Sequence, residues 1–577
     1  MGGPVYCLGG MQWLTRLLLL AWGATVVLAW EPPLPRRDPN AATGSDLVRQ
    51  WQPLSLAGRE AAAVAEVRKG NVPLWWRSFV DVRLGPAVLH VAPDYLAVGS
   101  DDDFIRMPLS PAAAQAVADA LDCTLPTPKI VDAVFQAAAR KLEPQPMPPG
   151  PEMTTPAQFA RHNDMIESAL RAAPDPPPRG ILVAGHKKDV VLTPRLASAP
   201  GRVAIYGWHR GDGTPIQPLF LGHAESWVDY SHGVRLVARQ AAWGDSVRSL
   251  DDIAADDRWW ILLSDEGPLA PLRFGEIKPR VPDHPGEAWE TLFFPGGVRA
   301  LIGRPEAMDP REPPQLVVYT VPAGNSIEQT LGRALRRDDD WHFDIQHVAA
   351  QARWLRSHGR PNLVLAVLQP ARGSWVTWTR DNERPGEKFA GMLGELRRKV
   401  PGARLTLASH SAGGSAVFSL LEFWEAIPPE VERIAFLDSN YRYDPARGHA
   451  ARLSAWLKGG GDRRLVVMAY EDFRARIDGV PFVTEKGGTW GRSLAMRDDL
   501  AVGVGGLTLR QSGPLEDYRD SGGRAVLLLR HNPEGAIWHT RLVELNGFIH
   551  SMLAGTSGEG RGYDYLAPRV YGDLVGR

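Results

Sequence analysis

The second half of this chain predicts an α/β fold, a doubly wound and mostly parallel sheet, and the first half predicts a preceding α+β domain. Three observations carry this. From Gln315 onward short apolar runs alternate with helical stretches, the pattern of strands joined by crossover helices. Those runs are near-continuous, as strands buried on both faces require. Before Gln315 the strand candidates are short and lack that regular alternation.

In the second half the predicted order is strand Leu316–Thr320, loop Val321–Ser326, helix Ile345–Ser357, strand Leu363–Leu368, helix Lys388–Val400 and strand Leu405–Ala408. Helix Ala412–Ala426, strand Arg433–Leu437, helix Ala450–Lys458, strands Leu465–Ala469 and Ala525–Leu529 and a terminal helix Thr540–Ala554 follow. In the first half, Ala61–Val67 and Ala112–Leu121 have helical spacing, the latter with Ser110 as N-cap and Pro111 in the first turn. Ala87–Val98 reads as a strand pair turning at Pro93-Asp94, and Ile130–Leu142 as a helix. Proline clusters Pro144–Pro151 and Pro174–Pro178 flank a helix at Pro156–Ala172, the look of an insertion or lid on extended connectors. Strand-like runs Gly180–Val183, Lys188–Leu192, Val203–Tyr206 and Val234–Val237 close the region. Gly244–Pro314 is weakly patterned, with strand candidates at Trp259–Ser264 and Thr291–Phe294.

The chain has 577 residues, long enough for two to four domains. Its 65 Lys and Arg nearly balance 66 Asp and Glu, which argues against a nucleic-acid footprint. Near the start, Arg16 precedes an apolar run from Leu17 to Leu28, and Val27-Leu28-Ala29 offers small residues for signal peptidase. The run is short of the roughly 20 residues a transmembrane helix needs. It reads as a secretory signal, with an uncleaved anchor as the alternative, and implies export to the periplasm or outside. The expected division is 1–29 signal, 30–46 Pro-rich linker, 47–242 α+β domain and 243–577 α/β domain. Cys7 falls before the apolar run, so the mature chain keeps one thiol, Cys123, and no internal disulfide.

The run Leu405-Thr406-Leu407-Ala408-Ser409-His410-Ser411-Ala412-Gly413-Gly414 carries the chemistry. A nucleophile elbow turns sharply from strand to helix and needs small residues two places either side of the nucleophile. Ser409 and Gly413 hold those places around Ser411, and Gly414 permits close helix packing. Taken alone, such a turn is also compatible with no chemistry at all. With its strand order and a downstream histidine, the region resembles the α/β-hydrolase superfamily over roughly Gln315 to Thr556, in its lipase and esterase form His-Ser-x-Gly-Gly. Ser409 in place of the usual glycine is a mild departure.

The resemblance implies an order Ser, acid, His along the chain, with Ser411 as nucleophile. His539, in a loop opening a helix, is favoured as base over His531, while His550 inside a helix suits a structural role. The acid stays open between Asp438, directly after one strand, and Asp472, after the next. The oxyanion hole would pair the Ala412 N–H with one from the loop bearing Gly324. The implied reaction is acyl transfer to water from an ester or amide, with no metal or cofactor required. Substrates would be small molecules or an envelope polymer. The rival is a non-catalytic envelope-binding or scaffolding protein on the same fold.

In the first half, Cys123 shortly precedes a helical run, where a helix dipole would favour thiolate. With His186 as base, and His209 as one candidate third residue, this order loosely resembles NlpC/P60 and papain-like cysteine peptidases, in topology only. Two other possibilities stand beside it. His186, Asp189, His209, His223 and His232 are of types that bind zinc. The same groups also suit a binding or structural domain with hydrogen-bonded core histidines.

Overall fold

The apolar runs of the second half assemble into one ten-stranded sheet in a computed structural model describing residues 30–172, 178–279, 284–335, 341–371, 374–477, 480–481, 483–484 and 487–576. Its strands are β1 (Glu287–Phe294), β2 (Val298–Pro305), β3 (Gln315–Thr320), β4 (Leu363–Pro370), β5 (Arg404–His410), β6 (Val431–Leu437), β7 (Arg464–Tyr470), β8 (Thr508–Ser512), β9 (Leu515–Arg519) and β10 (Ala525–Arg530). They lie in the order β1-β2-β4-β3-β5-β6-β7-β10-β9-β8. The six central strands, β4 to β10 in that order, are parallel, and antiparallel hairpins finish both edges. Every residue of β4 and of β10 is buried, because helices cover both faces and leave two apolar cores. The Thr291–Phe294 candidate is the end of β1, and its partner β2 carries no sequence signal strong enough to be read. The terminal helix is two pieces, Arg541–Glu544 and Gly547–Leu553, broken at Asn546 with φ 60°.

The first half has its own core around small sheets and helices, consistent with an α+β region. Strand Ala87–Val91 pairs with Val80–Leu84 and with Val237–Trp243, while Ala97–Gly99 pairs with Phe104–Arg106. The expected hairpin at Pro93-Asp94 therefore joins two different sheets. Helix Pro156–Arg171 buries Phe159, His162 and Ile166 and forms a wall of this domain rather than a lid. Trp259–Ser264, expected as a strand, contains the helix Trp260–Leu263.

Two boundaries shift. Residues 30–46 are no free linker: Trp30 packs on Phe79 at 4.8 Å, and Arg37 donates to Asn71 Oδ1 at 2.9 Å and to the Gly99 oxygen at 3.0 Å. The first core continues through Leu250, Leu263 and Leu272 to Ile277, so residue 242 falls inside a hairpin of that domain instead of at its end. The expected signal at 1–29 lies outside the described residues, as does most of the second proline cluster. Among the described residues, no helix is long and apolar enough to cross a membrane.

Candidate active site

Ser411 stands at the carboxyl end of β5, where the chain turns through a short 3-10 segment, Ser411–Gly413, into helix Gly414–Phe423. Its φ is 53°, a left-handed conformation that a non-glycine residue holds only at a cost of order 1–3 kcal/mol. The crossing is close. A Cβ on Gly413 would sit 2.3 Å from the Thr320 oxygen, and one on Gly414 would sit 1.7 Å from the Ser439 oxygen. The glycines are thus needed for helix-to-strand approach and not for unusual φ angles. Ser409, in the usual glycine place, is accommodated by bonding: its hydroxyl lies 2.6 Å from that of Ser439, which donates to the Ser409 oxygen at 3.0 Å.

His539 lies in the loop after β10, and its Nδ1 is 2.6 Å from Asp438 Oδ2. The carboxylate can only accept, so Nδ1 carries the proton and Nε2 is left as the basic nitrogen. Asp438 is fully buried while the His539 side chain keeps 22% exposure, so the pair is held from beneath and open on one side. Asp438 also takes a left-handed φ of 47° at the end of β6, and its N–H donates to the Met468 oxygen at 2.8 Å. Strained residues at both Ser411 and Asp438 mark a place where position outweighs backbone comfort.

Asp472 does not reach His539. Its Oδ2 accepts the Thr489 N–H at 2.6 Å and lies 3.1 Å from the Thr489 hydroxyl, which donates to Asp438 Oδ1. Burial first, and then the Asp438 charge, push the Asp472 carboxyl up to about 6. It is a partner of the acid, one hydroxyl removed. His531 is engaged elsewhere, its Nδ1 2.9 Å from Glu471 and its Nε2 2.9 Å from Glu516, and these carboxylates raise its pKa. His550 sits in helix Gly547–Leu553 with Nδ1 2.9 Å from the Tyr563 hydroxyl, as its structural assignment implies.

Further residues support the site: His410, which the His-Ser-x-Gly-Gly form includes without giving it a role, and Thr489 and Gln369, which carry no clear sequence signal. His410, buried just before Ser411, donates from Nε2 to the His539 main-chain oxygen at 3.0 Å, and its other nitrogen is 3.2 Å from the Gln346 amide. Burial pushes its pKa down, so the ring is neutral and acts as a spacer. Thr489 opens helix Thr489–Val504, and only the fold brings that helix against β7 and β10. Around Gly324 the loop is exposed, with φ 77° and open space where a side chain would be. The base of that loop is fixed by Gln369, whose Oε1 accepts the Ile327 N–H at 3.0 Å and an Arg299 N–H at 3.1 Å. Ala412 N–H belongs to the first turn after β5, where main-chain donors lack partners within the helix.

The first-half candidates separate. Cys123 lies on a two-residue strand, Cys123–Thr124, paired with Val237 and Ala238, and not at a helix start. It is fully buried, its thiol faces the Leu121 oxygen at 3.2 Å, and burial pushes its pKa well up. The helix expected to favour thiolate begins at Pro128 and is capped by Thr127. His186 Nε2 is 3.1 Å from Asp94 Oδ1, and Arg106 holds the other oxygen of the same carboxylate, Oδ2, at 2.7 Å. His209 pairs with Asp132 at 2.9 Å, and His223 stacks on Trp227. The thiol is sealed and His186 is already committed, so a Cys123–His186 catalytic pair is corrected to two core residues. Among the described residues, no three His, Cys, Asp or Glu converge as metal ligands.

No protein-family model matches the chain, and no curated protein matches it either. Solved structures with partial likeness are esterases and related hydrolases. A thermostable esterase is 16% identical over 46% of this chain and 61% of its own, with a TM-score of 0.30. The siderophore hydrolase EstB from Aspergillus nidulans is 13% identical over 48% of this chain and 97% of its own, at 0.28. The feruloyl esterase module from Clostridium thermocellum, as its S954A mutant with sinapinate, is 10% identical over 46% and 92%, at 0.29. Scores this low carry no weight for activity, and the site geometry stands by itself.

Proposed function

We propose that this protein is a serine hydrolase that cleaves an ester or amide through an acyl-enzyme on Ser411. What supports it is the His539–Asp438 contact of 2.6 Å together with a strained serine at a strand-to-helix elbow, whose preceding residue, His410, bonds the His539 main-chain oxygen at 3.0 Å. Ser411 Oγ attacks the carbonyl carbon as His539 Nε2 takes its proton, and the C=O electrons move onto oxygen. The N–H groups of Ala412 and of the Gly324 loop stabilise that oxyanion. Collapse expels the alcohol or amine, which takes the proton from His539. Water, deprotonated by the same nitrogen, then releases the acid and restores Ser411. Asp438 orients the ring and stabilises the imidazolium.

The apolar run at 17–28 supports export, and export makes small esters or an envelope polymer the natural substrates. The first half then serves as a binding or framing module beside the hydrolase. A fluorophosphonate probe followed by peptide mass spectrometry tests the core of this proposal. An adduct on Ser411 that is lost in His539→Ala is the expected result. Folded protein that stays unlabelled at Ser411 would overturn it and favour the scaffolding alternative.

A further inference from the structure

At the end of the sheet opposite Ser411, the amino-terminal ends of β5, β6 and β7 gather arginines. Thr406, Arg433 and Arg464 are register partners across these three strands, so Arg433 and Arg464 stand side by side. Paired residues on adjacent strands share a face, and like charges placed this way repel. Arg404 from the start of β5 and Arg360 from the turn before β4 complete the group around a cavity of 270 Å³.

The charges in this cavity do not cancel. Four guanidinium groups face two carboxylates, Glu432 and Asp462. Both carboxylates lean on Arg404, at 3.4 and 3.8 Å, and Asp462 also lies 3.5 Å from Arg464. Arg433 is buried and donates to the main-chain oxygens of Ser551 and Ala554 at 3.0 and 3.1 Å, which are neutral groups. Among the described residues, neither Arg433 nor Arg360 has a carboxylate within ion-pair distance. Burial first, and then the neighbouring Arg464, push Arg433 down to about 9 and lower Arg360 as well. Folding has thus concentrated cations in a half-dry place that favours losing charge, and an entering anion reverses that penalty.

We propose that this cavity binds a small dianionic oxyanion of the phosphate or sulfate class, held by Arg360, Arg433 and Arg464. Guanidinium forks match tetrahedral oxyanions through paired N–H donors, and a dianion equals the uncancelled charge. At 270 Å³ the cavity has room for an oxyanion with its last waters or a short ester tail. β5 runs from this site to Ser411, about 20 Å at 3.3 Å per residue, so the ligand is separate from the reacting acyl group.

Isothermal titration of the full chain with inorganic phosphate at constant ionic strength tests this. One site is expected in the wild type, unchanged in Ser411→Ala and weakened about tenfold or more in Arg360→Gln, with folding checked by circular dichroism. Glycerol phosphate competing for that site assigns a monoester ligand, and its failure to compete assigns the free ion. A phosphate-dependent rise in wild-type Tm gives a reading that needs no variant. No heat and no Tm shift with millimolar phosphate would overturn the proposal. So would binding that ignores Arg360→Gln, or binding that vanishes in Ser411→Ala.

Discussion

Each half of this molecule places a histidine against an aspartate, and the two pairs differ in what surrounds them. In the first half His186 and Asp94 are 3.1 Å apart with 1% and 4% of their side chains exposed. Arg106 donates to Asp94 at 2.7 Å and pairs with Glu167 at 2.9 Å, which makes the pair one part of a sealed ionic network. Burial pushes the His186 pKa down to about 4, so its ring is neutral at physiological pH. In the second half Asp438 is as deeply buried, but its histidine keeps 22% exposure, and its ring lies 4.6 Å from that of His410, the residue before the strained Ser411. A His–Asp contact is therefore no site by itself. Exposure of one ring edge and a serine at a sharp elbow distinguish the second pair from the first.

The comparison breaks most decisively at Ser411. Ser411→Ala is expected to lower ester turnover by about 10⁴-fold or more and to abolish fluorophosphonate labelling, with little change in Tm. Turnover that survives would move the chemistry elsewhere. Next comes the acid. Asp438→Asn leaves the shape intact but favours the wrong tautomer of His539, and kcat should fall by about 10³- to 10⁴-fold. Asp472→Asn, one hydroxyl away, should cost less than about tenfold by the same reasoning. Equal losses in the two variants would show that the carboxylates act as a unit.

Smaller effects sharpen the picture. Gly414→Ala should destabilise the fold by about 1–3 kcal/mol in chemical denaturation, because its Cβ would meet the Ser439 oxygen at 1.7 Å. The pH dependence of stability tests Asp472 more finely. Its folded pKa is raised to about 6 from an unfolded value near 4, so the native state holds the proton more tightly. Its stabilising contribution is full below about pH 4 and is lost as pH rises through about 6. In Asp472→Asn this falling limb should flatten, and a limb of unchanged slope would assign it to another group. At the small end, Cys123→Ala should leave esterase turnover within about twofold, and iodoacetamide should spare the native thiol at mildly acidic and alkaline pH alike. A Cys123 that reacts readily would reopen the first half as a second reactive centre.

Much of the second half was legible because parallel strands must be apolar on both faces and their crossover helices have a period of their own. The elbow was legible for a related reason: a crossing that brings the Gly413 and Gly414 backbone against Thr320 and Ser439 admits only small residues, and those stand together in sequence. β2 is not legible in sequence although fully buried over Val298–Gly303, since its apolar run is broken by Arg299 and Gly303. Arg299 is there because Glu328 and Gln369, from distant elements, satisfy it. In the first half the strand holding Cys123 carries no local pattern, because it is two residues long and exists only through pairing with Val237 and Ala238.

The sequence by itself determined the alternating architecture of residues 315–554, the position of Ser411 on a strand-to-helix turn and the short choice of histidines. These follow from local periodicity and from steric limits at a single turn. Only the tertiary structure decided that Asp438 rather than Asp472 meets His539, that Thr489 links the two carboxylates, and that Cys123 is sealed away. Those outcomes depend on which strand ends lie side by side and on which side chains lose water when they do. Such contacts join residues 17, 51 and 101 positions apart, and no local pattern in the chain records them.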